Sequence, residues 1–261
     1  MIVYERSNKA DYSQLKELWN VVFNEEKPFL ESFFSERIYF EHIFVARTDD
    51  RIVAALHALP SSYTKRGKKY PCSYIVGAAT LNEFRSQGIM GNLLELTRNS
   101  YGHPITLFPA VRPYYEKRGY FTTSSVYSYP LNNLNLAKTA VKELSLDFSI
   151  LDEIYTKANS LYGSLSRDNT AWKFLTDGYK TILIDKAYAL IKDDIAVEAT
   201  ALDKKTAKIL LSVLIERGIK KIQILKNSPF VHFLNQDEKE EIPMGMATNK
   251  NLKNVYIAEQ Y

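Results

Sequence analysis

The chain has 261 residues, of which 46% are apolar and 25% are charged, and its 34 basic and 30 acidic side chains leave a formal charge of +4. This composition excludes a disordered chain, and the small basic excess argues against a nucleic-acid partner, which would need a basic groove. The single cysteine, Cys72, excludes an intramolecular disulfide, and we expect it to be a small, buried apolar side chain. No apolar run approaches the ~18 residues of a membrane span, and the first residues lack a signal-peptide layout. We therefore expect a soluble, cytoplasmic protein without a membrane partner.

The first half of the chain alternates predicted helices and strands. Asp11 is expected to cap a helix that carries Leu15 and Leu18. A turn at Asp49 and Asp50 joins two strands of a hairpin, and the basic cluster 65–69 is typical of a second, exposed hairpin turn. The predicted elements are a strand at 2–5, helices after 11 and over 28–37, strands over 42–47, 51–59 and 70–80, a helix over 89–99, and strands over 105–108 and 120–129. This order predicts an α+β fold with a mixed sheet.

The second half repeats that order in outline. Pro130 and the polar stretch after it are typical of a linker, which predicts domains at 1–130 and 131–261. Beyond it the pattern predicts helices over 151–161 and 168–175, and strands over 182–191 and 195–201 with a turn at Asp193 and Asp194 between them. Asp203 is expected to cap a helix that runs to Arg217, and a strand follows over 219–225. A second, degenerate copy of the first fold is the interpretation that we adopt.

Residues 74–96 predict a strand, a short polar turn and a helix. The turn ends at Gly88 and the helix begins at Ile89. Such a junction directs unpaired backbone N–H groups and the positive end of a helix dipole towards one point, which suits a pyrophosphate. A plain strand-to-helix connection is the alternative, since glycine is common before helices. The second half has no counterpart of this turn, so we assign it no cofactor.

A second block, Tyr114-Tyr115-Glu116-Lys117-Arg118-Gly119-Tyr120, places phenol groups on a tight turn into a strand. Together the two blocks resemble the acetyl-CoA site of the GNAT acyltransferase superfamily. The resemblance implies the GNAT fold, a mixed and mostly antiparallel sheet flanked by helices, with acetyl-CoA as acyl donor. Carried over residue by residue, it implies that the donor is lined by Ala78, Ala79, Thr80, Arg85, Ser86, Gln87, Gly88, Ile89, Met90, Gly91, Ala110 and Val111.

The resemblance also implies a catalytic role for Tyr115, because family members carry Tyr-x-Lys-x-Gly-Phe, whose tyrosine protonates the departing CoA thiolate. Transfer of a proton from a phenol with a pKa of about 10 to a thiolate with a pKa near 8.5 is uphill by only about 2 kcal/mol. Tyr114 and Tyr120 are expected to be packing aromatics.

Within the superfamily, the chain resembles the Eis-like branch, in which an active GNAT domain precedes a degenerate one. Met90 stands where most members have glycine or alanine, but Gly88-Ile89-Met90 is similar to the Gly-Leu-Leu or Gly-Ile-Leu of that branch. The stretch from Arg167 to Trp172 is similar to its Arg-Asp-x-x-x-Trp region. The sterol-carrier-like domain of larger members has no counterpart in these 261 residues.

The general base stays open at the level of sequence. An ammonium acceptor must lose a proton before it attacks a thioester, and water is one acceptor for that proton. The candidate side chains and terminal group are His57, Glu25, Glu26, Glu31, Glu83 and the carboxylate of Tyr261. No spacing of His, Asp and Glu indicates a metal site.

These patterns predict an acetyl-CoA-dependent N-acetyltransferase that acts on a primary amine of a small cationic molecule or a peptide. One alternative is a catalytically silent module that binds CoA or a protein partner. Another is an aminoacyltransferase of the tandem-GNAT type, against which the missing basic groove argues. The acceptor and the oligomeric state, including a homo-oligomer, stay open.

Overall fold

The computed structural model describes residues 1–132, 134, 136–137 and 141–259. The chain forms two compact units, each discontinuous in sequence: one holds Met1–Ser62, Tyr70–Phe121 and Met246–Asn251, and the other holds Tyr63–Lys69, Thr122–Gly245 and Leu252–Tyr261. A single boundary after residue 130 is predicted from the sequence, whereas these units exchange short segments. The predicted linker lies partly outside the described residues.

The first unit is a mixed sheet with helices in its connections, so the predicted α+β class is confirmed. The sheet runs in the order β1-β2-β3-β4-β5-β14. Its elements are β1 Val3–Arg6, α1 Tyr12–Phe23, α2 Lys27–Glu36, β2 Ile43–Thr48, β3 Arg51–Lys65, β4 Lys68–Thr80, α3 Ile89–Ser100, β5 Ile105–Leu107, α4 Arg112–Glu116 and β14 Met246–Ala247.

Local chemistry explains most of these elements. Asp49 and Asp50 both have positive φ and form the predicted turn between β2 and β3, as a two-residue hairpin of type I′ requires. Arg66 and Gly67 do the same between β3 and β4. Asp11 precedes α1 as predicted, but its carboxylate caps nothing in that helix. It accepts hydrogen bonds from the Asn8 N–H and the Arg47 guanidinium instead, at 2.9 Å and 3.0 Å.

The second unit is built around the sheet β13-β7-β12-β11-β10-β9. Its elements are β7 Ser125–Pro130, α5 Phe148–Ala158, β8 Ser164–Leu165, α6 Asn169–Gly178, β9 Lys180–Ile184, β10 Ala187–Lys192, β11 Ile195–Ala201, α7 Lys204–Glu216, β12 Lys221–Leu225 and β13 Glu240–Pro243; the short strand β6, Phe121–Thr122, precedes them. Two predictions need correction. The strand predicted over 120–129 is divided into β6 and β7, and the one over 182–191 into β9 and β10, since Asp185 and Lys186 form a turn between Ile184 and Ala187.

Both units contain a β-α-β segment with parallel strands. β4 and β5 pair in parallel on either side of α3, and β11 and β12 do so on either side of α7. The helix N-termini differ. The Asp203 carboxylate accepts a hydrogen bond from the Thr206 N–H at 2.8 Å, so a negative side chain stands where an anion would otherwise bind the start of α7.

A buried ion cluster supports the second unit. Arg167 donates two hydrogen bonds to Glu198, at 2.7 Å and 2.8 Å, and one to Glu259, at 2.9 Å. Its guanidinium lies 4.0 Å from the ring centre of Tyr155. Burial by itself raises the pKa of the Glu198 carboxyl, but Arg167 and hydrogen-bond donors, including the Tyr188 hydroxyl, hold it below its usual value.

Two further features concern the chain as a whole. Cys72 is buried, with 1% of its surface exposed, as the sequence predicts. No helix among the described residues combines the length and apolar character needed to cross a lipid bilayer.

Arg167→Met should lower the free energy of unfolding by about 3–5 kcal/mol, because it leaves two buried carboxylates uncompensated. Urea denaturation at pH 7 measures the loss. Lys157→Met, which breaks an exposed ion pair with Glu153, is the control and should change stability little. Because the pKa of Glu198 is lowered in the folded protein, this carboxylate should contribute to the free energy of unfolding above the usual glutamate pKa of about 4.3. The contribution should be lost as the pH falls below that value and through the lowered pKa. Equal losses in the two variants would contradict a stabilising role for the cluster.

Candidate acyl-donor site

β4 pairs with β5 only over its middle residues. Parallel pairing covers Ser73 to Ile75 and ends where Ile75 meets Leu107. Gly77 follows with a φ of 61°, a value that interrupts the regular pleat and favours glycine. A side chain at this position would overlap the ring of Trp19, so only glycine fits. Because β5 ends at Leu107, the predicted donor-lining residues Ala78, Ala79 and Thr80 lie beyond the last pair of the β4–β5 ladder.

The turn after β4 reverses the chain through two left-handed residues. Ser86 has a φ of 63° and Gly88 a φ of 80°. Arg85 folds back, and its Nε donates to the Thr80 carbonyl at 3.1 Å. The Gln87 side chain donates to the Glu83 carbonyl at 3.1 Å.

Unpaired N–H groups run through this turn into α3. No carbonyl or side chain of the described residues accepts a hydrogen bond from the backbone N–H groups of residues 86–91, and the first α3 N–H with an acceptor is that of Asn92, bonded to the Gly88 carbonyl at 3.1 Å. The first N–H groups of a helix have no partner within it, and successive N–H groups in a turn with left-handed residues form a concave anion site. Ile89 is buried, while Met90 is half-buried in the first turn of the helix.

The second sequence block lies along α3. Arg118 reaches the first turn of the helix: a Cβ built on Gly91 would lie 2.9 Å from its Nε. Two turns further along α3, Arg98 approaches the second block: its Nη1 would lie 3.2 Å from a Cβ built on Gly119. The structure thus brings the two blocks together. Ala110 and Val111 are exposed and lead into α4, whose Tyr114 and Tyr115 precede the turn.

Tyr115 is half-buried among aromatic rings. Its ring centre lies 5.4 Å from that of Tyr114 and 5.7 Å from that of Tyr120. Burial raises the pKa of Tyr115 to about 12; Tyr114 adds to the rise and Arg118 opposes it. The phenol is therefore protonated at neutral pH and available as a hydrogen-bond donor. The hydroxyl of Tyr120 is also buried and has no partner among the described residues.

Two arginines that the sequence does not single out add positive charge to this region. Neither Arg98 nor Arg118 forms an ion pair with a carboxylate of the described residues. The pattern of the second block predicts a role for Tyr115 but none for Arg118. The contact between Arg118 and residue 91 could not be predicted, because a contact between residues so far apart in the chain leaves no periodic signal in the sequence. The irregular backbone at Gly77 did leave a signal, because an isolated glycine inside an apolar strand indicates such a position.

An aromatic cluster packs against β4 at Gly77. Trp19 on α1 lies 4.5 Å from Phe33 and 5.2 Å from His57, between ring centres. His57 is 1% exposed, and burial lowers its pKa to about 3. Its Nδ1 and the Nε1 of Trp19 have no hydrogen-bond partner among the described atoms. His57 is therefore a neutral core residue at physiological pH and a poor proton acceptor.

The other candidate bases lie at exposed positions. Glu25 and Glu26 are in the connection between α1 and α2. Glu31 pairs with Lys16 at 2.6 Å, and Glu83 pairs with Arg51 at 3.1 Å. The carboxylate of Tyr261 lies outside the described residues. In the described part of the chain, no group of three or more His, Cys, Asp and Glu side chains is arranged to hold a metal ion.

The buried His57 generates a testable pH dependence. Its folded pKa of about 3 lies below the unfolded value near 6.5, so the unfolded state binds the extra proton and stability should fall as the pH falls from about 6.5 to about 3. His57→Phe should remove this component, up to about 1.4 kcal/mol per pH unit. Urea denaturation across that range measures it, with the exposed His232→Phe as control. Parallel curves for wild type and His57→Phe would refute the assignment.

Comparison with known proteins adds independent information. The family model described as acetyltransferase (GNAT) domain matches residues 3–123. Among curated proteins the search gave no significant match.

Several solved structures share the fold over almost the whole chain. A conserved protein of unknown function from Enterococcus faecalis, described as a probable N-acyltransferase, has a TM-score of 0.73 at 15% identity, over 97% of this chain and 74% of its own. A GCN5-related N-acetyltransferase from Anabaena variabilis gives 0.70 at 17%, over 95% and 72%. Eis1 from Mycobacterium abscessus gives 0.69 at 13%, over 95% and 73%.

At these identities the solved structures establish a common fold. The chain has the GNAT fold, and residues 3–123 match the model of the GNAT acetyltransferase domain.

Proposed function

We propose that this protein is an acetyl-CoA-dependent N-acetyltransferase whose acceptor is a primary amine of a small cationic molecule or a peptide. The observation that carries the proposal is the row of unpaired N–H groups over residues 86–91, which lies at the start of α3 in a domain of the acetyltransferase type. Charged oxygens of a diphosphate are the acceptors that such a row fits. A plain strand-to-helix connection would have no need of two left-handed residues before the helix.

The strand end supplies the second part of the proposed site. Acetyl-CoA supplies an acetyl group activated as a thioester. Because the pairing of β4 with β5 ends before residues 78–80, the backbone there is proposed to pair with the pantetheine arm, and the small side chains of Ala78 and Ala79 permit a close approach. A backbone N–H of this segment would stabilise the negative charge that develops on the thioester oxygen when the amine attacks the carbonyl carbon.

Tyr115 is proposed to donate its proton to the thiolate as the carbon–sulfur bond breaks. With a pKa of about 12, the transfer to a thiolate of pKa near 8.5 is uphill by about 5 kcal/mol in the absence of ligands. This cost exceeds the value expected for an unperturbed phenol. Tyr115 therefore first donates a hydrogen bond to the sulfur. It transfers the proton only as negative charge accumulates on the sulfur.

The amine must lose a proton as it attacks, and we assign that proton to water. The pKa of His57 excludes it as an effective base at neutral pH. The exposed Glu25 and Glu26 are proposed to attract a cationic acceptor rather than to deprotonate it.

Placement in the Eis-like branch is part of the proposal. The similarity to Eis1 supports it at the level of fold. The residues of the Arg167–Trp172 motif each make a structural contact. Arg167 holds the buried ion cluster, and Asp168 caps α6 by accepting a hydrogen bond from the Ala171 N–H at 2.8 Å. The indole of Trp172 donates a hydrogen bond to Asp152 at 3.1 Å. Because Asp203 occupies the start of α7, we propose that only the first unit binds the donor.

Calorimetry with acetyl-CoA tests donor binding. Gly88→Val should weaken it at least about 10-fold, because a β-branched residue disfavours the left-handed backbone by about 1–2 kcal/mol and turns the N–H groups away. Gly218→Val is the matched control, since Gly218 has a φ of 75° and, like Gly88, open space around a Cβ. Gly218→Val should lose similar stability and keep the affinity. The absence of acetyl-CoA binding by the wild-type protein would refute the proposed function.

Tyr115→Phe should lower kcat by about 10²-fold or more and leave the Kd for acetyl-CoA nearly unchanged. Thiol release with aminoglycosides, polyamines and N-terminal peptides as acceptors measures turnover, and Tyr114→Phe is the control. Since the pKa of Tyr115 is about 12, the rate should show no loss from its ionisation below about pH 11. Equal turnover by wild type and Tyr115→Phe would remove the assigned role. Donor binding without thiol release for any acceptor would favour the silent CoA-binding module.

A further inference from the structure

We infer that Arg118 binds a phosphate group of the acyl donor and, through its contacts with Tyr114, couples donor binding to the position of the turn that carries Tyr115. This inference rests on the proposed function. It assigns a role to a residue of the second sequence block for which the family pattern specifies no residue type.

The guanidinium of Arg118 lies beside the unpaired N–H groups. A Cβ built on Gly91 would be 2.9 Å from Nε and 3.0 Å from Nη2 of Arg118. Gly91 is the third residue of α3, and its own N–H is one of the unpaired groups. An anion bound at the helix start would therefore be close to both the N–H groups and the guanidinium. The absence of a side chain at residue 91 makes room for this approach.

The orientation of the guanidinium favours a ligand. Its Nη1 donates to the Tyr114 carbonyl at 2.8 Å, and its Cζ lies 3.7 Å from the centre of the Tyr114 ring. These contacts fix the plane of the group. Nε and Nη2, the edge that faces Gly91, donate to no acceptor of the described residues. That edge presents two parallel N–H groups, the geometry with which arginine binds phosphate in a bidentate manner.

The same side chain is tied to the turn of Tyr115. The Tyr115 carbonyl accepts hydrogen bonds from the Arg118 N–H at 2.9 Å and from the Tyr120 N–H at 3.2 Å. Tyr114, on which the guanidinium stacks, is the immediate neighbour of Tyr115 in α4. A phosphate that holds Arg118 would therefore also restrict Tyr114 and Tyr115. Arg118 is in this sense a positioning residue for the proton donor as well as a ligand-binding one.

A purely structural role is the competing explanation, in which Arg118 only stacks on Tyr114. The two explanations differ in their dependence on the phosphates of the donor. If Arg118 only supports the turn, its loss should weaken every thioester donor to the same extent. If it contacts phosphate, its loss should weaken acetyl-CoA and spare S-acetylpantetheine, which has no phosphate.

The primary experiment compares Arg118→Met with Lys117→Met, a neighbouring exposed cation that serves as control. The Kd for acetyl-CoA and for its 3′-dephospho analogue is measured by calorimetry, and that for the weaker S-acetylpantetheine by protein NMR titration. Arg118→Met should weaken acetyl-CoA about 10- to 100-fold, the range of a charge-assisted hydrogen bond, and leave S-acetylpantetheine unchanged. Persistence of the loss with the dephospho analogue assigns the contact to the pyrophosphate, and its disappearance assigns it to the 3′-phosphate.

A second variant moves the guanidinium without removing its charge. Gly91→Ala adds a methyl group that displaces the flexible end of Arg118 and no backbone atom, so the fold should persist. It should weaken acetyl-CoA in the same direction as Arg118→Met and lower kcat as well, because the turn of Tyr115 shifts. Gly102→Ala, where a methyl group meets nothing within 4 Å, is the control. Arg118→Lys should recover only part of the affinity, since lysine lacks the fork.

Two results would overturn the inference: an unchanged Kd for acetyl-CoA in Arg118→Met, or an equal loss for acetyl-CoA and S-acetylpantetheine. Either can occur while the wild-type protein binds acetyl-CoA normally. A wild-type protein that does not bind acetyl-CoA would instead refute the proposed function itself, so the two failures are distinguishable.

Discussion

The junction between β4 and α3 is the constraint on which the proposed site depends. Three backbone positions between residues 77 and 88 have positive φ: Gly77 in the strand, and Ser86 and Gly88 in the turn. The first lies just beyond the last β4–β5 pair, and the other two form the turn that leads into α3. Each conformation has a cost, and Ser86 adopts its left-handed backbone without the freedom of glycine. Conformations of this kind are typical of places where a backbone meets a ligand.

The β-α-β segments of the two units differ in whether a side chain caps the start of the helix. Both place a helix between two parallel strands. In the first unit the helix start carries no side-chain cap, and Arg118, which lies beside Gly91 in the first turn, has no carboxylate partner among the described residues. In the second, Asp203 accepts the hydrogen bond that an anion would otherwise receive. The buried charge of the second unit, around Arg167, is instead satisfied internally and stabilises its fold.

Sequence patterns predicted the local elements well where chemistry acts within a few residues. The bounds of α3, the hairpin turns at residues 49–50 and 193–194, and the cap of α7 by Asp203 follow from neighbouring residues alone. The prediction of one strand over 182–191 is wrong. Only two polar residues, Asp185 and Lys186, separate the apolar strands β9 and β10, so the sequence resembles one apolar strand with a polar interruption. The exchange of residues 246–251 into the first unit could not be predicted, since strand pairing over such a separation leaves no local signal.

The sequence by itself determined the strand, turn and helix over residues 74–96 and the tyrosine block that follows, because glycine positions, apolar periodicity and short motifs act over few residues. Only the tertiary structure decided which side chains share a space. It placed Arg118 against Gly91, buried His57 among aromatic rings and so lowered its pKa to about 3, and raised the pKa of Tyr115 to about 12. Desolvation and side-chain proximity depend on distances across the fold, and those are set by packing rather than by the order of residues along the chain.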